Sequence, residues 1–524
     1  MDRPSRVLQS NLYESDSRSA PSCHSACGIV GFVFGKARDA ARCSELALAL
    51  LLFVVLLTAP DLPLVDLPQH ALQLANWLRI DAGDPRARAE LMLNFRTPYL
   101  LAYPVLRVLC ELTSVLTALK LVFWASIVLQ AVTLRRLCER LGHDPRLGNF
   151  GFPLGVGYAF CFGFVAFCAA LPLVYLAFEL AFTHREAPSR RSGAWLALVL
   201  ALLLIAHGVA LGFWVLVCAP VLATGGGKLW QRVWPIAAPP LLAAVWLMPG
   251  RSSTRLGGDL WEPSLVRFVE LPAQLVGIGA VDASSTVVGS LLLACVAAHL
   301  GAPRRWVLVL PVLTCLIGYA AFPVLFRGAG PLHPRFSSFL VPALLMACAP
   351  RRVREPKLRL LLGAAPPLLA FAVLVVFWSR LPAFQEETRG FHEIAAELPP
   401  GVSLRPIVFD RASLAFPGTP AHLHVPAYYS LEKGGDPGYS FAMYVISVVR
   451  FRPGVRVKMG GGAEWAPEWF DAEREAADYD YFLVKSATDR SAQLFPGPRP
   501  TATLERHAGD WWAYRRVREL RTHE

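Results

Sequence analysis

The stretch SELALALLLFVVLLTAPDLPLVDLPQHALQLANW, residues 44–77, decides how this chain is read. Its first half is an apolar run that reads as a membrane span, and its second half puts two aspartates and a histidine directly at the exit. Asp66, with Gln69 three positions on and Pro68 in the first turn, has the pattern of an N-cap and capping box, which predicts a helix starting at Asp66 and running through Leu78. His70 then falls one turn after Asp66 on the same face. A carboxylate partly withdrawn from water at that boundary has a raised proton affinity and suits a general base. The plainer reading is that Asp66 caps the helix and His70 sits at the interface. Asp61 is either a second carboxylate of the site or an end-of-span charge. An Asp/His pair also admits a divalent metal ion.

Working outward, the 524 residues are 54% hydrophobic and only 17% charged, with repeated apolar runs of spanning length, so the fold class is an α-helical polytopic membrane protein. From Arg380 onward the chain carries 18 basic against 19 acidic residues, so the net +12 belongs to the membrane half. That pattern speaks for membrane topology and against nucleic acid. The cysteines stop at Cys348, which leaves the polar C-terminal segment to be held by an ordinary core.

Basic clusters at 135–140, 185–191, 228–232, 304–305 and 351–359 mark cytoplasmic turns. Between them the apolar runs give eleven spans, near 44–60, 117–135, 150–166, 168–183, 194–208, 209–224, 234–249, 284–301, 305–323, 336–349 and 360–378. The N-terminus is then inside and the C-terminus outside. The runs 150–183 and 193–224 are read as tight hairpins, because a single helix of more than thirty residues would measure about 50 Å against a hydrocarbon core of about 30 Å. Reading both as single spans gives nine.

Residues 1–43 read as a mostly disordered cytoplasmic tail and 44–379 as the transmembrane domain, with a first outer loop over 60–116 and an interfacial helix within 98–112. Residues 380–524 read as an extracytoplasmic α/β domain. There FHEIAAELPPG predicts a helix, LRPIVFD, VRVKM and YFLVK predict strands, and TATLERHAGDWWAYRRV predicts a hairpin around residues 508–510. His422 and His424 alternate, as on one strand face, but no cysteine or nearby carboxylate completes a metal set. The pairs Tyr428/Tyr429 and Trp511/Trp512 read as core before they read as sugar platforms. No internal repeat and no phosphate-cradling glycine loop is present.

An N-inside first span, an outer loop that opens with acidic residues, many spans with short outer turns and an outer α/β domain together resemble the GT-C superfamily of integral membrane glycosyltransferases, which includes the aminoarabinose transferases and protein O-mannosyltransferases. The resemblance implies a polyprenyl-phosphate-linked sugar donor, a lipid, glycan or protein acceptor, and an acidic catalytic base in the first outer loop. Asp66 is the best match, with Asp61 second and His70 assisting. This loop departs from the family in having neither an adjacent Asp-Glu pair nor Asp-x-Asp.

A phosphate-bearing donor calls for cations at the same face. FRGAGPLHPRF supplies Arg327, His333 and Arg335, where arginine can present two donors to one phosphate. His207, at the tip of a predicted hairpin, is a further binding candidate. Glu262 with Arg267 reads as a helix-end pair, and Glu179 as an interfacial charge beside His184 and Arg185. The expected activity is therefore glycosyl transfer with inversion on the outer face of the cytoplasmic membrane. The alternatives are a transporter or flippase, and a catalytically silent scaffold of envelope assembly.

Overall fold

The computed structural model describes residues 23–246, 260–277, 282–326 and 330–517. It is mostly helical with a small C-terminal sheet. In chain order the helices that position the site are α1 (Cys23–Thr58), α2 (Leu67–Asp81), α3 (Ala102–Leu109), α4 (Val115–Leu141), α5 (Val165–Glu186), α6 (Arg190–Ala206), α7 (Gly208–Ala223), α8 (Arg267–Val276), α9 (Ala283–His299), α10 (Leu310–Ala321), α11 (Ser337–Ala347), α12 (Pro356–Glu397) and α13 (Ala427–Lys433). Among the described residues four helical stretches are long and apolar enough to cross a membrane: Ala37–Thr58, Val115–Leu141, Val165–Glu186 and Pro356–Glu397. Gly208–Ala223, Ala283–His299 and Trp306–Ala321 are shorter apolar helices.

Three elements differ from the sequence expectations. The first helix begins at Cys23, inside the segment expected to be unstructured; once a span is nucleated, each residue added backwards gains a hydrogen bond for little cost. The run 150–183 is not two similar spans but one 22-residue helix, α5, preceded by single turns at Pro145–Phe150, Gly151–Gly155 and Tyr158–Cys161. These turns lie hard against α4: a Cβ on Gly151 would stand 2.3 Å from the Ala131 Cα. The last span and the first outer helix are one 42-residue helix, α12, about 60 Å long, which continues through Pro382 and stops before Pro399. The run 193–224 does divide, into α6 and α7, at the extended residue His207.

Besides a short antiparallel pair, Leu300–Pro303 with Cys348–Pro350, the strands are β1 (Leu91–Leu93), β2 (Leu404–Val408), β3 (Val449–Phe451), β4 (Tyr481–Lys485), β5 (Ala502–Ala508) and β6 (Trp511–Arg516). Four form a sheet in the order β2-β4-β6-β5, with β2 and β4 parallel and the expected β5–β6 hairpin at one edge. VRVKM is not a strand, and His422 and His424 lie in consecutive turns, so the alternating face expected of them does not exist. Tyr428, Tyr429 and Trp511 are buried in the core between α12 and this sheet.

The C-terminal segment is laced to the first outer loop. β3 pairs antiparallel with β1, Leu91 opposite Phe451 and Leu93 opposite Val449. The Gln73 side chain donates to the Val449 carbonyl at 3.0 Å and accepts from the Val449 N–H at 3.0 Å. Gln69 does the same one turn earlier, donating to Tyr439 O and accepting from Phe441 N–H. Asn94 donates to the carbonyls of Val445 and Ser447. Two glutamines four apart thus let one face of α2 imitate a strand edge, and Phe416, Ala421, Ala442, Val448 and Val449 share one apolar core with the helices.

Candidate active site

The helix does begin at Asp66, but the capping box does not form. The Asp66 carboxylate makes no bond to the helix start, and Gln69 is spent on the C-terminal segment. Proline at 68 removes one of the amides a cap would serve. The Asp66 backbone is instead held from behind: Val65 N–H donates to Cys161 O at 3.1 Å and Asp66 N–H to Phe162 O at 3.0 Å. Gly163 makes that approach possible. It sits at φ +74°, and a Cβ there would stand 2.9 Å from Leu67 N and 3.0 Å from Asp66 N.

The released side chain is almost buried, with 16% of its surface exposed, and its Oδ1 lies 3.6 Å from His424 Nε2. Burial pushes the Asp66 carboxyl up to about 8; the Arg335 charge works against that shift and the Glu464 charge adds to it. His70 and His424 are held neutral by the same burial, at about 4 and about 3. His70 Nδ1 meets the Tyr103 hydroxyl at 2.7 Å, His424 stacks on Tyr439 with ring centroids 5.2 Å apart, and both imidazoles pack edge-on against Phe441.

Neighbours of Asp66 line two clefts, Gln69 and His424 on one side and Cys161 and Phe162 on the other. One is lined by Gln69, Leu423, His424, Tyr439 and Glu464, with Pro406, Pro426 and Pro437 around it. The other is lined by Tyr158, Cys161, Phe162, Gln274 and Thr419, two of which supply the carbonyls that hold residues 65 and 66. Tyr158 is close enough to feel both the Asp66 and the Arg335 charge.

Arg335 is buried, its guanidinium 4.1 Å from the Phe164 ring centroid and 5.4 Å from that of Phe167. It donates from Nε to Pro331 O at 3.0 Å and from Nη2 to Gly330 O at 3.4 Å, and its Nη1 lies 3.3 Å from His207 Nε2. His207 Nδ1 meanwhile accepts from Ala210 N–H as the cap of α7. A neutral imidazole has one acceptor nitrogen, so while the cap forms the Arg335 Nη1 donor is unspent. Among the described residues no carboxylate pairs with Arg335, an arrangement that leaves a buried positive charge facing the Asp66 side of the bundle.

Of the residues singled out in the sequence, the structure gathers Asp66, His70, Arg335 and His207. His333 points elsewhere, against the Tyr319 ring, with Nδ1 unpartnered. Arg327 lies outside the described residues. Asp61 is already committed: it accepts from His392 Nε2 at 2.6 Å and Thr388 Oγ1 at 3.0 Å, and its backbone pairs with the Gln385 side chain. It ties the loop to α12. Arg267 caps the Glu262, Ala320 and Phe322 carbonyls, and Glu179 pairs with Arg136 at 2.9 Å. His422 is bound to Glu387 at 2.8 Å, away from Asp66. The sequence reading missed Tyr103, Tyr158 and Glu464, which carry no local signal, and assigned His424 to a strand. Among the described residues no three His, Cys, Asp or Glu side chains gather as metal ligands would.

The chain is thus a membrane protein with span-length helices and a C-terminal sheet laced over a polar site. No family model matches it, and no curated protein does. Among solved structures it is similar to the cryo-EM structure of the arabinofuranosyltransferase AftD from mycobacteria, with a TM-score of 0.45 and 18% identity over 92% of this chain. A mutant of the same enzyme matches with the same score and identity over 91% of this chain. The chain spans about 40% of the length of that protein, and at this level the likeness carries no functional inference.

Proposed function

We propose that this protein is a membrane glycosyltransferase that moves a sugar from a polyprenyl-phosphate donor to an acceptor hydroxyl on the outer face of the cytoplasmic membrane. The observation that carries the reading is the proximity of the buried Arg335, which makes no ion pair among the described residues, to a carboxyl group, Asp66, of raised proton affinity, each feeling the other's charge. A buried guanidinium with unspent donors suits a phosphate, and a carboxyl that titrates near neutral pH suits a general base.

In this reading Arg335, steadied by the Pro331 carbonyl and by the Phe164 and Phe167 rings, holds the donor phosphate with the Nη1 donor that His207 leaves unspent. The acceptor oxygen attacks the anomeric carbon, its proton passes to the Asp66 carboxylate, and the bond from that carbon to the phosphate oxygen breaks. The electron pair leaves on the polyprenyl phosphate, whose developing charge Arg335 offsets. Direct attack inverts the anomeric carbon. His70 and His424, both neutral, orient the Asp66 carboxyl without cancelling its charge. No step above uses a divalent cation, and among the described residues no set of three His, Cys, Asp or Glu side chains gathers to hold one.

The topology that goes with this function has the N-terminal residues inside, the long apolar helices in the membrane, and the site with residues 380–524 on the outer face. The test is to supply radiolabelled polyprenyl-phosphate sugars to membranes containing the chain. Label should leave the lipid with the parent protein and stay on it with Asp66→Asn; no release from any common donor by the parent refutes the reading.

A further inference from the structure

The helix α5 runs from the site to the opposite boundary of the bundle. Phe164, whose ring lies against Arg335, stands just before its first residue, and Arg185 is its penultimate one. At about 1.5 Å per residue, the stretch from Val165 to Arg185 covers about 30 Å, the thickness of a hydrocarbon core. Arg185 therefore sits at the membrane face opposite Asp66, where the transferase reading gives it no task.

Arg185 is only 7% exposed, yet among the described residues its side chain makes no ion pair or hydrogen bond, and its Nε is buried with no acceptor. Its guanidinium lies 5.6 Å from the Phe182 ring centroid. The neighbouring carboxylate, Glu186, is spent on Arg140. Two further cations gather at the same spot. Arg232 flanks Gly225 from the other side: a Cβ there would stand 2.9 Å from Arg185 Cγ and 3.2 Å from Arg232 Cδ. The Arg232 donors are used up on the carbonyls of Leu222, Ala223, Gly225, Gly226 and Gly227, so it closes the loop after α7 and adds charge alone. Arg305 is exposed and makes no ion pair among the described residues; it precedes the turn Trp306–Val309, which packs against α7. The charges that act on Arg185 are those of Arg305, Glu186 and Arg232, not those of Arg190 and Arg191 at the start of α6. A guanidinium withdrawn from water among like charges is costly unless an anion joins it.

We infer that this end of the bundle binds the phosphate of an anionic phospholipid headgroup, with Arg185 and Arg305 as donors and Arg232 behind them. A guanidinium suits that ligand because it can give one phosphate two N–H bonds. The surroundings select a lipid over a soluble anion. Trp306, next to Arg305, is 75% exposed, and Leu229 and Trp230, just before Arg232, are exposed as well. Exposed indole rings beside basic residues at a span end occupy the level of the headgroups, and basic pockets between spans at that level take acidic lipids.

The experiment is native mass spectrometry of the full chain in detergent, titrated with phosphatidylglycerol and, separately, with phosphatidylcholine. The parent should bind its first phosphatidylglycerol about tenfold more tightly than phosphatidylcholine, and Arg185→Gln and Arg305→Gln should each weaken that step by about fivefold or more, the worth of a charge-assisted hydrogen bond. Arg305 is exposed, so its variant carries the test if Arg185→Gln does not fold. Replacing Arg190 and Arg191 together by glutamine removes two charges from the same end and should leave the step within about twofold of the parent. Equal affinity for the two lipids, an unchanged Arg305→Gln, or an equal loss in the Arg190/Arg191 variant overturns the inference, the last by reducing the site to diffuse charge. Displacement of the bound lipid by millimolar inorganic phosphate also overturns it, because the site then belongs to a soluble anion.

Discussion

Replacing Asp66 by asparagine keeps the shape of the side chain and removes the proposed base. With the carboxyl titrating at about 8, only about a tenth of the parent is in the base form at pH 7, so transfer should rise nearly tenfold per pH unit below that point and level off above it. General-base catalysis typically contributes 10²–10⁴-fold, so Asp66→Asn should lose about that much in kcat/KM and lose the pH dependence with it. Stability should move the other way. A carboxyl whose proton affinity is raised by folding holds its proton better in the folded state, so the folded protein loses stability as pH climbs from about 4 through about 8. The asparagine variant is free of that loss and should unfold at a temperature no lower than the parent's at pH 9. The assay is release of radiolabel from polyprenyl-phosphate sugar between pH 5.5 and 9.5, beside thermal unfolding of the same preparations. A parent profile flat from pH 6 to 9, or a variant within a few-fold of the parent, refutes the assignment of Asp66.

Arg335→Gln should raise KM for the lipid-phosphate donor by about ten- to a hundredfold, the worth of a charge-assisted bond, and should shift the acid limb to higher pH because the Arg335 charge holds the Asp66 carboxyl down. Gly163→Ala forces a side chain into a left-handed position at a cost of about 1–2 kcal/mol and presses on the backbone of residues 66 and 67; a lower unfolding temperature and a lower kcat should appear together. Gln73→Leu strands the Val449 N–H and carbonyl, at about 1–3 kcal/mol for each buried group left unpaired, and should show as faster amide hydrogen exchange at residues 449–451 with α4 and α5 unaffected.

The residues that local chemistry governs were legible in the sequence. Apolar runs longer than a few turns have to be helices in a membrane, so α4, α5 and the outer half of α1 follow from composition. The β5–β6 hairpin follows from its turn and alternation, and the start of α2 follows from Asp66 and Pro68. The split at His207 was legible because one helix of that length overshoots the bilayer.

The tertiary structure decided what those residues do. Asp66 and Gln69 satisfy a capping pattern, yet Gln69 gains more by pairing with the backbone at 439 and 441, and this frees Asp66 to face the site. Asp61 and Asp66 look equivalent five residues apart, and only the arrival of α12 with His392 and Thr388 makes one a tie and leaves the other beside His424. His424 and Glu464 reach Asp66 from more than 350 residues away, and Arg335 from more than 250. Pattern and propensity act over one turn of chain, whereas the burial that gives a carboxyl its proton affinity is created by segments that meet only once the whole chain has packed.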